Sequence, residues 1–433
     1  MDSNPLDFIR SKNYTSLLIA AVIISVPIAL FAYFFLYLTS TIQNWVYTTI
    51  PSNFSSADMK LWWPIIPLTL AGLIVGISVK YLPGKGGEVP IEGLSKGGGP
   101  PKPVALISIF LAAVASIGLG AVVGPEAPLI ALGGGLAYLI VHLVKKNING
   151  KAANMIAASG SFASISTLLG SPLTGAFLMM EAVGFGGVMM DLVLLPGMLA
   201  AGIGYLVFVG MDSLTGFGTF SLAIDHIPAY TNPTGYEFIW AVGFGIVAPL
   251  FAILIRKFAQ SFRPHLEKHV VSGTTIIGII IALLAVVFVK ITGESNSLIL
   301  FSGQTELSHL LSSGAELSIG TLLLVLLFKG VAYSLSLIGF RGGPTFPAMF
   351  LGAIAGILMS NFASLPLIAG VAIGIGAMTV SMLKLPLTSI LLATLLLAAD
   401  GLALMPLVIV AVVVAYVVTI RLTPPTELKK AKK

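Results

Sequence analysis

Polar residues along this chain fall in short clusters, and long runs almost free of them lie between. The stretch 17–38, LLIAAVIISVPIALFAYFFLYL, carries no charge. An apolar helix needs about 20 residues to cross a bilayer. The run is too long for the h-region of a secretory signal and no small-residue cleavage site follows it, so the pattern predicts a retained span. The apolar segments fall at 14–46, 61–82, 103–121, 128–144, 152–169, 172–209, 236–258, 272–291, 316–338, 347–360, 365–382, 386–399 and 403–421. Trp45, Trp62, Trp63 and Trp240 stand near segment ends, where interfacial aromatics belong. The pattern predicts an all-α polytopic membrane protein. The segments 128–144, 347–360 and 386–399 read as short for a full crossing and begin beside Gly and Pro clusters. Irregular backbone survives at membrane depth only where protein or water satisfies it, so short interrupted helices point to a binding site near the midplane.

The interruptions repeat. Gly124-Pro125-Glu126-Ala127-Pro128, followed by Gly133, is matched by Gly343-Pro344-Thr345-Phe346-Pro347, followed by Gly352. Pro172-Leu173-Thr174 then has its match in Pro386-Leu387-Thr388. The ordered pair of matches predicts an internal duplication. It gives a lead at 1–13, a first transmembrane repeat at 14–209, a connecting loop at 210–235, a second repeat at 236–421 and a basic tail at 422–433. Similarity between the copies does not say whether they are inverted.

Composition sharpens this reading. Apolar residues are 57% of the chain, charged residues 9%, and mean hydropathy is +1.02. A soluble domain carries about a quarter charged residues, so most of this surface must face lipid. The net charge of +6 is concentrated at Lys145, Lys146 and Lys151, at Arg256, Lys257, Arg263 and Lys268, and in the tail. By the positive-inside rule these loops and the C-terminus are expected on the cytoplasmic side of a cell membrane. Topology accounts for the lysines, so no nucleic-acid partner is expected. The absence of cysteine excludes disulfides, thiolate metal sites and cysteine nucleophiles. His265 and His269 have helix-face spacing but stand among Arg263 and Lys268, as a hydrated basic loop would. No metal site or cofactor is expected. The spans hold no cluster of His, Asp or Glu to suggest an enzyme.

The chemistry left is that of helix ends. A helix N-terminus presents unpaired N–H groups and about half a positive charge, which attracts anions. If Pro125 and Pro344 open helices, the amides of Glu126, Ala127, Thr345 and Phe346 become available, and two such ends aimed at one point would hold a small anion without a buried Lys or Arg. Glu126 is the one acidic residue in the apolar run 103–144. A carboxylate at membrane depth is costly, which favours a functional role. It is expected to compete for the anion site as a gate; the alternative is an acidic residue that caps a buried helix. For Glu181, Lys329, Lys384, Glu88 and Glu92 structural roles are expected: Glu181 at an interface, Lys329 snorkelling, paired or lining a vestibule, Lys384 anchoring a helix end, and the last two near a vestibule by Lys85 and Lys96.

At these residues the chain resembles the chloride channel (CLC) family of chloride channels and chloride/proton exchangers, from about residue 60 to 420. Gly124-Pro125-Glu126-Ala127-Pro128 is similar to the family motif G-[K/R]-E-G-P, with Glu126 at the gating glutamate. Gly343-Pro344-Thr345-Phe346-Pro347 is similar to G-x-F-x-P and follows LLLVLLFKGVAYSLSL, a run typical of the family. Ser171-Pro172-Leu173-Thr174-Gly175 resembles A-P-L-x-G, Lys384-Leu385-Pro386-Leu387-Thr388 resembles R-x-P-L-T, and Gly86-Gly87-Glu88-Val89-Pro90 resembles G-S-G-I-P. The resemblance implies two inverted halves whose broken helices meet mid-membrane, a homodimer with one pore per subunit, and anion ligands at Gly87, Gly124, Ala127, Gly343, Thr345 and Phe346. It also shows departures. Gly87 stands where the family has its central serine, and Thr345 takes the aromatic position. Pro125 and Pro344 each remove an N–H. No tyrosine in the tail matches the one that caps the central site, Tyr416 being too early. Glu181 takes the first acidic position after A-P-L-x-G, while the usual proton-carrying position is Ala182. The first reading is therefore passive, glutamate-gated transport of a small inorganic anion. The second is anion/proton exchange with Glu181 on the proton pathway, and the third is a carrier of small organic solutes.

Overall fold

A computed structural model of the chain describes residues 9–94, 99–146, 148–183, 188–216, 230, 232–312, 317–397 and 401–424. The start of the lead, Lys96, most of the connecting loop with His226, and the tail from residue 425 lie outside the described residues.

The first repeat holds α1 (Lys12–Asn44), α2 (Ile65–Tyr81), α3 (Leu106–Gly118), α4 (Glu126–Val144), α5 (Gly150–Leu169), α6 (Pro172–Val183) and α7 (Val188–Thr215). The second holds α8 (Gly235–Lys268), α9 (Val270–Thr292), α10 (Gln304–Ser312), α11 (Ile319–Gly339), α12 (Thr345–Ala363), α13 (Leu367–Leu383), α14 (Pro386–Leu396) and α15 (Gly401–Leu422). Ten helical stretches among the described residues are long and apolar enough to cross a membrane. The outer helices turn large apolar side chains outward, Ile23, Leu250 and Leu254 among them. This is an integral membrane protein.

The helix contacts are duplicated. In the first repeat α1 packs on α5 and α7, α4 on α5, and α5 on α7; in the second α8 packs on α13 and α15, α12 on α13, and α13 on α15. Three contacts join a piece of one repeat to its own counterpart: α2 with α9, α6 with α14, and Gly124 with Gly343. Such self-paired contacts lie on the pseudo-twofold axis. Gly124 and Gly343 pair antiparallel. The chain therefore runs in opposite directions through the two motifs, and the halves are inverted. The glycine that follows each motif marks a helix crossing. A Cβ on Gly133 would strike Gly160 of α5, and one on Gly352 would strike Gly374 of α13. Small residues let membrane helices approach this closely, backbone to backbone.

Several helix lengths differ from those read in the sequence. The runs expected at 128–144 and 347–360 belong to helices of 19 residues each, which begin at Glu126 and Thr345. At 1.5 Å per residue each is about 28 Å long, enough to cross the hydrocarbon. What is internal to the protein is their N-terminal end. The 386–399 segment is indeed short, an 11-residue helix. The run 172–209 divides into α6 and α7.

Candidate functional site

Outer helices carry their own N-terminal caps. Ser11 Oγ accepts the Tyr14 N–H, Asn149 Oδ1 that of Lys151, and Ser318 Oγ that of Thr321. The helices α4 and α12 have none. Pro125 and Pro344 occupy the cap positions, and neither offers a side-chain acceptor to the first-turn amides. These two ends are buried and face each other.

Four backbone donors tie the motifs together in reciprocal pairs. The Gly124 N–H donates to Gly343 O at 2.8 Å, and the Gly343 N–H donates to Gly124 O at 2.6 Å. Two residues upstream, the Val122 N–H donates to Ser336 Oγ on α11 at 3.1 Å, and the Arg341 N–H donates to Ser116 Oγ on α3 at 3.0 Å. The amides of Gly124 and Gly343 are thus engaged with each other. The open donors begin at Glu126 and Thr345.

Glu126 is fully buried, with 0% of its surface exposed. Its side chain crosses to the other half, where Oε1 accepts the Thr345 N–H at 2.5 Å. The Phe346 amide also faces the carboxylate. Oε2 and the nearby Thr345 hydroxyl are both buried and make no hydrogen bond of normal geometry. Glycine on either side leaves room for the carboxylate. A Cβ at Gly343 would collide with its Cδ, and one at Gly124 with Oε2 and the Phe346 ring. Behind α12, the buried Tyr333 hydroxyl donates to Pro344 O at 2.6 Å and fixes the start of the helix. The Glu126 carboxyl therefore rests on the positive end of a helix in a dry place, where the interaction of that end with a negative group would be strongest.

A cavity of about 880 Å³ leads up to this point and stops short of it. Gly87, Ala127, Pro128, Arg341 and Gly342 line it, while Glu126 and Thr345 do not. Among the described residues, four basic ones, Lys85, Lys102, Lys151 and Arg341, share the wall with one acidic residue, Glu88. Gly87 has φ +90°. A serine there would be strained. The predicted ligands thus divide into a buried group, with Glu126, Gly124, Gly343, Thr345 and Phe346 in mutual contact, and a cavity group, with Gly87 and Ala127.

The remaining ionisable residues take structural positions. Glu181 lies apart from the Glu126 cluster. Oε1 accepts the Leu387 N–H at 2.9 Å, and Oε2 accepts the Thr388 N–H at 2.7 Å and the Thr388 hydroxyl at 2.6 Å. It therefore caps α14 from the opposite half. Its helix neighbours Met179 and Val183 face the cavity, and Glu181 does not. Lys329 neither snorkels nor lines the cavity. It is wholly buried, with Nζ donating to Leu298 O at 3.2 Å and to Leu300 O at 2.9 Å, 4.3 Å from the Phe350 ring centre. Lys384 is the left-handed cap of α13. Glu88 lies on the cavity wall, and Glu92 pairs with Arg263 at 2.8 Å. Sequence reasoning did not single out Tyr333 or Arg341. A signal existed for the second: Arg341 is the one charged residue between Lys329 and Lys384.

Known proteins share this fold. The family model described as voltage gated chloride channel matches residues 71–419. Proteins called YfeO from Salmonella choleraesuis (strain SC-B67) and Salmonella typhimurium (strain LT2), whose names assign them provisionally to ion transport, are 27% identical over 363 residues. That covers 81% of this chain and 82% of theirs. Among solved structures, a slow cyanobacterial Cl⁻/H⁺ antiporter superposes with a TM-score of 0.72 at 18% identity, over 95% of this chain and 98% of its own. A CLC-type fluoride/proton antiporter gives 0.63 at 18%, over 93% and 95%. At that identity the two structures speak for the fold. With the inverted halves, the facing helix ends and the family match over most of the chain, the protein belongs to the voltage-gated chloride channel (CLC) family of anion transport proteins.

Proposed function

We propose that this protein carries a small monovalent inorganic anion across the membrane along a path that the Glu126 carboxylate closes, and that transport is passive. The observation behind this reading is the hydrogen bond from the Thr345 amide to Glu126 Oε1. The carboxylate oxygen stands in for the permeating anion: a site that holds one buried negative oxygen on a helix end will hold another when the side chain withdraws. Protonation or displacement by an anion would free that end. The ligands in the open state would be the amides of Ala127, Thr345 and Phe346 and the Thr345 hydroxyl. The basic wall, with Lys85, Lys102 and Lys151, is expected to face the cytoplasm of a cell, and a second copy of the chain is the expected partner. Anion efflux from liposomes containing the protein tests the reading. Glu126→Gln should raise the rate and flatten its pH dependence; equal rates and equal pH dependence in both proteins would remove Glu126 from the mechanism.

Proton-coupled exchange is the second reading. It draws support from the names of the two antiporter structures and from a buried carboxylate with one oxygen open to a proton. Ala182 at the usual inner position and the capping role of Glu181 weigh against the ordinary inner proton route. An imposed anion gradient that drives protons uphill would establish coupling; its absence under ample anion flux would discard it.

A further inference from the structure

Arg341 lies in the loop between α11 and α12, two residues before the Gly124–Gly343 pair. It is 7% exposed, and what is exposed lies on the cavity wall. Its guanidinium is only partly engaged. Nε donates to Lys85 O at 3.4 Å and Nη1 to Phe340 O at 3.0 Å. No group among the described residues accepts from Nη2, and none of their carboxylates lies within ion-pairing distance of it. A guanidinium presents five N–H donors in a fixed fork, keeps its charge at any physiological pH, and seeks an anion or acceptors for all of them. This one is nearly buried, with donors to spare on the side that meets the cavity, whose wall also holds Ala127 of the first turn of α4.

We propose that Arg341 is an anion-loading residue: its free guanidinium face holds the incoming small anion in the cavity, next to the first turn of α4, before the anion passes to the point that Glu126 occupies. This rests on the gated-path reading and adds a second site to it. The neutral helix ends alone do not provide this step, because a fixed charge raises the local concentration of anions from a dilute solution. Sharing the guanidinium with the carbonyls of Lys85 and Phe340 weakens its hold on the anion, as conduction requires binding that still permits departure.

Chloride influx into liposomes, measured over a range of chloride concentrations, tests the assignment. Arg341→Gln should raise the half-saturating chloride concentration about tenfold or more, the loss expected for one hydrogen bond to a charged group, with little change in maximal rate. Arg341→Lys should recover most of the affinity. The chain has no cysteine, so Arg341→Cys offers a single labelling site. A cationic methanethiosulfonate should restore the affinity of that variant, and an anionic one should lower it further. An unchanged half-saturation in Arg341→Gln, or equal effects of the two reagents, would overturn the assignment and leave the gated path standing. Loss of folded protein in all three variants, Lys included, would assign Arg341 to bracing the Lys85 and Phe340 carbonyls and overturn it as well. An unmodified protein that passes no chloride, fluoride or nitrate would overturn the gated path and this inference together.

Discussion

The carboxylate of Glu126 accepts the N–H of Thr345 at 2.5 Å, and these two residues are counterparts in the two inverted halves. The acidic residue that follows the proline in one motif thus caps the helix of the other motif, which has a hydroxyl at the same position. A duplicated pair of carboxylates would place two negative charges against each other in a dry interior. One Glu and one Thr leave a single carboxyl at the two facing helix ends.

Removing the charge tests that gate. A hydrogen bond to a charged group contributes about 1.5–3 kcal/mol, and each 1.4 kcal/mol is a factor of ten. Glu126→Gln should therefore shift the balance toward the open path by about ten- to a hundredfold. Protonation removes the same charge, so wild-type flux should rise as pH falls and approach that of the variant, whose own profile stays flat. Liposome efflux across a pH series reads both.

Crowding the carboxylate should have the same effect by another route. Gly343 is not one of the glycines with positive φ, so alanine avoids that strain there, but its methyl would occupy the place of the Glu126 Cδ. Gly343→Ala is expected to expel the side chain and give flux without pH dependence while Glu126 is still present. A variant that kept the wild-type pH profile would show that the seat of the carboxylate lies elsewhere.

Glu181 caps α14 through two backbone amides and a hydroxyl. Loss of an N-terminal cap costs about 1–2 kcal/mol. Glu181→Ala should lower the thermal stability of the detergent-solubilised protein and leave the anion selectivity as it was. If Glu181→Gln abolished proton movement at unchanged stability, the residue would be a proton carrier rather than a cap.

Lys329 is a buried amine held by two carbonyls and a ring. Lys329→Met keeps the apolar stem and leaves the Leu298 and Leu300 carbonyls without their donor. Buried acceptors left unmade cost about 1–3 kcal/mol each. The expected result is a clear drop in melting temperature with the chloride half-saturation unmoved; a shift in half-saturation instead would place this amine on the anion path.

Much of the fold and of the site was legible in the sequence because membrane depth leaves few options. A lone carboxylate, a proline before it and a glycine after it are costly in an apolar run, and each marked a real feature. Other features were hidden because they depend on partners far along the chain. The Gly124–Gly343 exchange of hydrogen bonds has no local signature, and Glu181 finds the α14 amides 207 residues away. The apolar runs themselves begin only at Pro128 and Pro347, because Glu126 and Thr345 interrupt the hydrophobic pattern; both are helical, and the helices open after Pro125 and Pro344 as the proline signal suggested. Arg341 was overlooked for a related reason: polarity beside a glycine-rich turn reads as the edge of the membrane, whereas this turn lies deep inside the protein.

The four hydrogen bonds at the two motif loops brace the halves against each other around the Glu126 side chain. A passage governed by Glu126 would then work like a latch, in which one side chain swings about its own bonds at the nanosecond pace of rotamer hops. Such a passage would not require half the molecule to rock against the other half. Throughput in such a device should be indifferent to the stiffness and thickness of the surrounding lipid.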